Sequence, residues 1–376
     1  MVAMGGGPDV PSRDVASKEK DLVLCTLPWP EADASRVIKV LKETFNDVDV
    51  EYHFTKYLNG KAEPIHVPEE SLHRAKYMAT LFWLPPSPAS LPSVKLIQFA
   101  SAGVNNHANH PIYTDSDIPL CSANGVHGPQ IAEWVVMMDL VHSHNYTALY
   151  DNQKQKIWDS SPTKSVSDRV GKRVGILGYG SIGRQVGRVA KALGMDVLAY
   201  TASPRTTPES KRDTGYIVPG TGDPDGAFPS AWYSGTDKEH VHEFLKQELD
   251  LLVIAVPLTK ATTHLLSTAE FELLHKSNPR GTYIANIARG QIIDQKALVT
   301  ALHSNQIRGA ALDVTDPEPL PKDDVLWDAP NVLITPHCSS MTDVYIDRVF
   351  ELLVENIKHQ RSGAKLINEV DRKRGY

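Results

Sequence analysis

Cysteine is scarce: Cys25, Cys121 and Cys338 are the only three in 376 residues, and no Cys-x-x-Cys spacing joins them. An odd, scattered set excludes a disulfide framework and a thiolate zinc site, and suits a reducing compartment. Long hydrophobic runs are missing too, since none approaches the ~20 residues needed to cross a bilayer. No charged, apolar, small-residue signal opens the chain, so the expected location is the cytoplasm, with residues 1–20 as a flexible tail. Positive charge is not in excess: 39 Lys and Arg stand against 45 Asp and Glu, a formal charge of −6. That balance gives no general attraction to nucleic acid or anionic membrane. The pairs His107/His110, His142/His144 and His240/His242 lack a completing carboxylate or Cys cluster, so no metal is expected. What remains is ample core material, 41% hydrophobic residues, in a chain long enough for two domains.

Short β-rich runs, DLVLCTLPWP, DVEYHF, MATLFWLPP and KLIQFASAG, are separated by helical stretches at 34–45 and 69–76. This alternation predicts a first α/β unit with a parallel sheet. Residues 125–159 then read as one long helix, apolar at first and increasingly polar. Beyond it six apolar runs, RVGILG, DVLAYT, DLLVIAV, TYIANI, GAALDV and VLIT, alternate with helical patterns. Six is the count of a complete doubly wound nucleotide-binding sheet. A final helix over about 342–361 is placed to return to the first unit. The Gly- and Pro-rich stretch 213–239 is too long for an ordinary connection and reads as an insertion, either a functional flap or a solvated excursion.

Within ILGYGSIGRQVGRVAKALGMDVLAYTASPR (176–205), Gly178, Gly180 and Gly183 fit Gly-x-Gly-x-x-Gly between a strand and a helix. The first permits a tight turn, the second lets a pyrophosphate approach the backbone, and the third lets helix and strand pack. The helix beginning near Ser181 aims free N–H groups and a positive dipole end at the phosphates. About 20 residues past such a turn an Asp or Glu ordinarily holds the ribose hydroxyls of NAD. Here Asp196 stands at the wrong end of the second strand, and the strand runs out into Thr201, Ser203 and Arg205. Loss of the acid and gain of a cation favour the extra phosphate of NADP(H), with NAD(H) as the lesser cofactor.

Three further groups follow three strands: Arg289 after TYIAN, Asp313 and then Glu318 after GAAL, and His337 after VLIT. In an open parallel sheet ligands bind outside the carboxyl ends of the strands. An Arg grips a carboxylate with two parallel bonds. A His gives or takes a proton near neutrality, and a carboxylate beside it favours the charged imidazole.

From about 95 to 345 the chain resembles the D-2-hydroxyacid dehydrogenases, which include glyoxylate and hydroxypyruvate reductases. QFASAGVNN, ILGYGSIGRQV, LLVIAVPLTKATTHLL, ANIARGQIIDQKAL, ALDVTDPEPLP and ITPHCSS match that family in order. The resemblance implies an α/β chain of two Rossmann-like domains with parallel sheets, the nucleotide-binding domain inserted in a discontinuous substrate domain. The boundaries expected are 21–124 with 338–376 for the substrate domain, and 125–337 for the dinucleotide domain. By the same resemblance Arg289 binds the substrate carboxylate and polarises the carbonyl, His337 is the acid/base, and Glu318 tunes His337. Backbone amides at Ser101, Ala102 and Gly103 receive the carboxylate. Tyr179, Ile182, Val256, Pro257, Thr262, Ile287 and Ala288 line the cofactor, and Asp313 approaches its nicotinamide end.

The partners implied are a small 2-oxo or 2-hydroxy acid and a second copy of the chain, paired through the 125–159 arm. Trp134 stands where many relatives have His, and HCSS replaces a more usual glycine-containing turn; both bear on pocket shape. A second reading stays open at this point: a dinucleotide-sensing binding protein, like the corepressors that share this fold and keep the three strand-end residues. Formate dehydrogenase, a related enzyme, usually has Gln where Glu318 stands.

Overall fold

The computed structural model describes residues 19–58 and 61–373, so the expected tail lies outside it apart from its last two residues. The first half contains β1 (Asp21–Leu27), α1 (Glu31–Thr44), β2 (Val48–Phe54), the short antiparallel pair β3 (Tyr57–Leu58) and β4 (Lys61–Ala62), and α2 (Glu69–Arg74). There follow β5 (Ala75–Thr80), β6 (Leu96–Phe99), α3 (Pro111–Thr114) and β7 (Leu120–Cys121). Buried from Leu22 to Leu27, β1 has the continuous apolar run of a parallel strand covered on both faces. It pairs in parallel with β2 and β5 in a five-stranded sheet of order β2-β1-β5-β6-β7. α1 covers it through Ala34, Val37 and Leu41, one stripe at helical spacing.

The predicted single helix over 125–159 is two, α4 (Gly128–Ser143) and α5 (Tyr146–Lys154). The chain breaks at Asn145, which adopts the left-handed conformation (φ 52°), one that Asn tolerates and that ends a helix. The apolar start of α4 is covered by its own chain: Ile131, Ala132, Trp134 and Val135 are buried, and α4 packs on the helix that follows the glycine turn.

The second half holds β8 (Arg173–Leu177), α6 (Ser181–Ala192), β9 (Asp196–Thr201), α7 (Pro208–Lys211), β10 (Ala231–Ser234), α8 (Lys238–Leu245) and β11 (Leu251–Ile254). It continues with α9 (Thr268–Ser277), β12 (Tyr283–Asn286), α10 (Gln295–His303), β13 (Gly309–Leu312), β14 (Val332–Ile334) and α11 (Tyr345–Ser362). All seven strands are parallel, in the order β10-β9-β8-β11-β12-β13-β14. The expectation of six strands is corrected by β10, which comes from the 213–239 stretch. Its short run AWYS pairs with β9 from Ala231↔Leu198 to Ser234↔Thr201. Trp232 and Tyr233 pack edge-on against Tyr179 and Phe244. Gly and Pro on both sides hid four residues that pack well on a pleated surface. α11 returns to pack on α1 and β6, as its position predicted. Among the described residues no helix is long and apolar enough to cross a membrane.

The amino edge of the seven-stranded sheet is sealed and charged. Asp139 of α4 meets Arg169 at 2.9 Å with their side chains 2% and 3% exposed. Asp250 accepts from the Arg173 amide at 2.9 Å, and His142 stacks on Tyr283 with ring centroids 4.2 Å apart. Burial lifts the Asp139 carboxyl above the usual carboxylate range, opposed by Arg169, and presses His142 down to about 4.

Candidate active site

The strand order reverses between β8 and β11, and in such sheets that reversal marks the ligand crevice. The glycine turn lies there. Gly178 follows β8 with φ +107°, and a Cβ on it would come within 2.6 Å of the Ala255 carbonyl just past β11. A Cβ on Gly183 would lie 2.3 Å from the Gly178 oxygen, so helix and turn touch as closely as glycine allows. Gly180 is different, because its Cβ would meet nothing within 4 Å. The result is an open cradle facing the first turn of α6, whose N–H groups suit a pyrophosphate. These residues fit a dinucleotide.

Around the cradle several predicted residues have side chains already engaged. Tyr179 is 2% exposed and its hydroxyl donates to Asp223 Oδ2 at 2.9 Å, so only its backbone faces the turn. Thr262 Oγ1 donates to the Pro257 carbonyl at 2.7 Å and receives the Thr259 amide at 2.7 Å, closing the turn after β11. Val256 is partly buried, and Ile287 and Ala288 are buried at the end of β12. Past β9, Thr201 Oγ1 donates to the Ser203 carbonyl at 2.8 Å and Arg205 Nη1 to the Ser210 carbonyl at 2.6 Å. Ser203 is exposed and Arg205 half-buried. Asp196 is committed to Arg173 and Ser230 at the far end of this strand, and the acid whose charge reaches Tyr200 near its carboxyl end is Asp237, past β10.

The three strand-end groups converge. His337 Nδ1 donates to Glu318 Oε1 at 2.6 Å, with the two side chains 43% and 40% exposed. Arg289 donates from Nη1 to its neighbour's carbonyl, Ala288 O, at 2.6 Å and from Nη2 to Asn105 Oδ1 at 3.0 Å. Asn105 sits just past the 101–103 loop at the end of β6, so Arg289 reaches from one sheet to the other. A Cβ on Gly103 would lie 3.0 Å from Arg289 Nη2. Within that loop Ser101 Oγ donates to the Gly103 carbonyl at 2.7 Å. Burial holds the Arg289 guanidinium below its ordinary range, and the charge of Glu318 works the other way. A guanidinium has five N–H donors, and two are used here, so several remain for a ligand carboxylate.

Two roles escaped sequence reasoning. Asn105 lies in QFASAGVNN, where roles fell only to Ser101, Ala102 and Gly103; its place two residues past Gly103 was the available signal. Asp313 is 1% exposed, and its carboxylate receives Thr335 Oγ1 (2.5 Å), the amides of Cys338 (2.9 Å) and Ser339 (3.0 Å), and Ser339 Oγ (2.5 Å). The Asp313 carbonyl also accepts the His337 amide at 2.8 Å. His337 itself has φ +52°, a conformation that needs such support. Asp313 therefore anchors the turn that carries His337.

The family model for the D-isomer specific 2-hydroxyacid dehydrogenase NAD binding domain matches residues 136–218 and 229–339. The chain belongs to the D-isomer specific 2-hydroxyacid dehydrogenase family. It is 34% identical over 196 residues to the glyoxylate reductase of Thermococcus kodakarensis, covering 52% of this chain and 50% of that enzyme. Over 278 residues it is 30% identical to the D-3-phosphoglycerate dehydrogenase of Methanocaldococcus jannaschii, covering 74% of this chain and 48% of the relative. The chain thus spans about half the length of these two relatives. A solved NADPH-dependent glyoxylate/hydroxypyruvate reductase from Sinorhizobium meliloti, in complex with NADP and sulfate, superposes with a TM-score of 0.73 at 25% identity, covering 95% of this chain and all of that one. Members of this family are oxidoreductases of small 2-oxo and 2-hydroxy acids that use a nicotinamide dinucleotide.

Proposed function

We propose that this dehydrogenase reduces a small 2-oxo acid of the glyoxylate or hydroxypyruvate kind to its D-2-hydroxy acid, and that it prefers NADPH to NADH. The observation that carries the reading is the 2.6 Å bond between His337 and Glu318 beside an arginine that spans the cleft. When bound, the nicotinamide supplies the hydride. Gly178, Gly180, Ser181, Ile182, Gly183 and the backbone of Tyr179 hold the pyrophosphate. Val256, Pro257, Thr262, Ile287 and Ala288 would line the nicotinamide half of the dinucleotide, and Asp313 would serve that end through the turn that carries His337. Arg289 uses its remaining N–H groups to grip the substrate carboxylate, with the amides of Ser101, Ala102 and Gly103 on its other side. With Nδ1 committed to Glu318, His337 offers Nε2, which gives its proton to the carbonyl oxygen and takes one in the reverse direction. Glu318 fixes the ring orientation and favours the imidazolium.

Ser203 and Arg205, with no acid among residues 201–205, support a 2′-phosphate site. The substrate lobe is formed by 21–124 with 338–376, the dinucleotide lobe by 125–337, and the enzyme acts in the cytoplasm. Met137, Tyr146, Tyr150, Ile157 and Trp158 expose apolar surface along the 125–159 arm, which supports a two-fold dimer; a 41 kDa species alone in sedimentation at micromolar concentration refutes it.

The test is to follow nicotinamide absorbance with NADPH and NADH against glyoxylate, hydroxypyruvate and longer 2-oxo acids. Oxidation of neither cofactor by any of them overturns the reading. Arg205→Ala weakens NADPH by about 1–3 kcal/mol, the range for a charge-assisted hydrogen bond, and leaves NADH little changed. An equal loss for both makes Arg205 a residue that only shapes the 203–210 loop.

A further inference from the structure

The 213–239 stretch gives more than an edge strand. Its first part is fastened to the dinucleotide helix. Arg184, 4% exposed, donates to the carbonyls of Asp223 (2.5 Å) and Lys211 (2.6 Å). The Gly222 amide donates to Gln185 Oε1 at 2.6 Å, and Arg188 donates to the Gly222 carbonyl at 3.2 Å. Asp223, 2% exposed, takes the Tyr179 hydroxyl from the glycine turn and closes its own loop on the amides of Ala227 (2.8 Å) and Phe228 (3.1 Å).

The same segment also reaches the other lobe. Tyr216 packs against the core of the five-stranded sheet and α11, and its hydroxyl donates to Glu351 Oε2 at 3.1 Å. Its backbone carbonyl presses on the chain crossing between the sheets. A Cβ on Gly125, which has φ +94°, would lie 1.9 Å from the Tyr216 oxygen. The chain passes between the two sheets twice, at 122–127 leading into α4 and at 335–344 leading into α11. Arg348 of α11 grips the first passage through the Val126 carbonyl at 3.1 Å, and Gln130 grips the second through the Ser340 carbonyl at 3.0 Å. Asn124, beside Gly125, accepts from Ser181 at the start of α6 (2.5 Å) and, on its carbonyl, from Asn368 (2.7 Å).

We propose that residues 213–228 are a hinge strap, tying the dinucleotide helix to the Gly125 crossing and to α11, and so holding the lobes where Arg289 reaches Asn105. Tyr216 is its positioning residue. Hinges are few-residue passages that absorb the rotation of lobes around a ligand, and a contact made in one arrangement only shifts the population toward it. Because Asp223 binds the hydroxyl of Tyr179, the strap is anchored on the glycine turn. The inference rests on the proposed oxo-acid reading only for its kinetic consequence.

The test compares the full chain with Tyr216→Phe and Glu351→Met, each of which removes the hydrogen bond between them and keeps the apolar part of the side chain. Hydrogen exchange, without added ligand, is expected to quicken at 122–127 and 335–344 and to stay unchanged in β8, β11 and β12. KM for the 2-oxo acid is expected to rise about 3- to 10-fold, the weight of one hydrogen bond, with kcat and the dinucleotide Kd within about twofold. Unchanged exchange at both passages overturns the proposal, as does exchange that quickens equally throughout both lobes. If no 2-oxo acid is turned over by the unaltered protein, the oxo-acid reading has failed, and the exchange result still judges the strap.

Discussion

At the carboxyl edge of the seven-stranded sheet, His337 is bonded to a carboxylate and left 43% exposed; at the amino edge, His142 is stacked on Tyr283 and pressed down to about 4 by burial. The arginines divide in the same way. Arg289 spends two of its donors and faces a cleft, whereas Arg169 is sealed against Asp139. Both edges use Arg, His and carboxylates, and both keep donors without a hydrogen-bond partner; what separates them is access to solvent. An ion pair in a sealed site serves packing, because exchanging its partner leaves a buried charge. One at a strand's carboxyl end, open to solvent, is positioned for a ligand.

That contrast breaks most sharply at the histidines. His337→Ala lowers reductive turnover by about 10²–10⁴-fold, the share of a positioned general acid, with little change in melting temperature; near-normal turnover, measured where hydride transfer limits the rate, ends the assignment. At the other edge Asp139→Ala costs about 3–5 kcal/mol of stability, because it strands Arg169 in the interior. Chemical denaturation measures it, and kcat is expected to hold. The double change Asp139→Leu with Arg169→Met recovers part of that loss, since removing both members of a sealed pair is often neutral while the buried Arg308 still loses the carboxylate of Asp139. Failure to recover means the pair does more than satisfy itself.

The smallest effect is with pH. Burial lowers His142 to about 4 and His127 to about 3 in the folded chain, against an ordinary 6.5. Well above 6.5 both states leave these rings neutral and they add no slope. As pH falls below 6.5 the unfolded chain takes up protons that the folded chain refuses, so stability declines toward pH 4. Denaturation midpoints between pH 7 and 5 measure that slope. His142→Phe, which keeps the stacking on Tyr283, removes up to one proton from it; an unaltered slope places the proton uptake elsewhere.

Much of this was legible in the sequence because it rests on local pattern. Glycines between a strand and a helix, and the residues that follow apolar strands, are read along the chain, and the seven-stranded sheet brings Arg289, Glu318 and His337 to one edge. What stayed hidden depends on distant partners. The anchoring role of Asp313 is one such case, because its four donors come from 335–339, 22 or more residues on. Asn105 matters only through Arg289, 184 positions away. The break at Asn145 was missed because the apolar pattern runs through it, while a single positive φ ends the helix. β10 was missed for the opposite reason: its flanks look like loop, and Tyr179 and Phe244 supply the packing that makes four residues a strand.

The bond from Arg289 to Asn105 has a consequence for descent. Arg289, Glu318 and His337 all follow strands of one sheet, while Asn105 and the 101–103 loop belong to the other. On the proposed reading, the reactive trio is inherited as a cassette with the dinucleotide fold, and the opposite lobe meets it through a loop of few residues. A lineage can therefore rebuild, recombine or replace that lobe, and with it the range of acids accepted, so long as one side chain at the junction still answers the arginine.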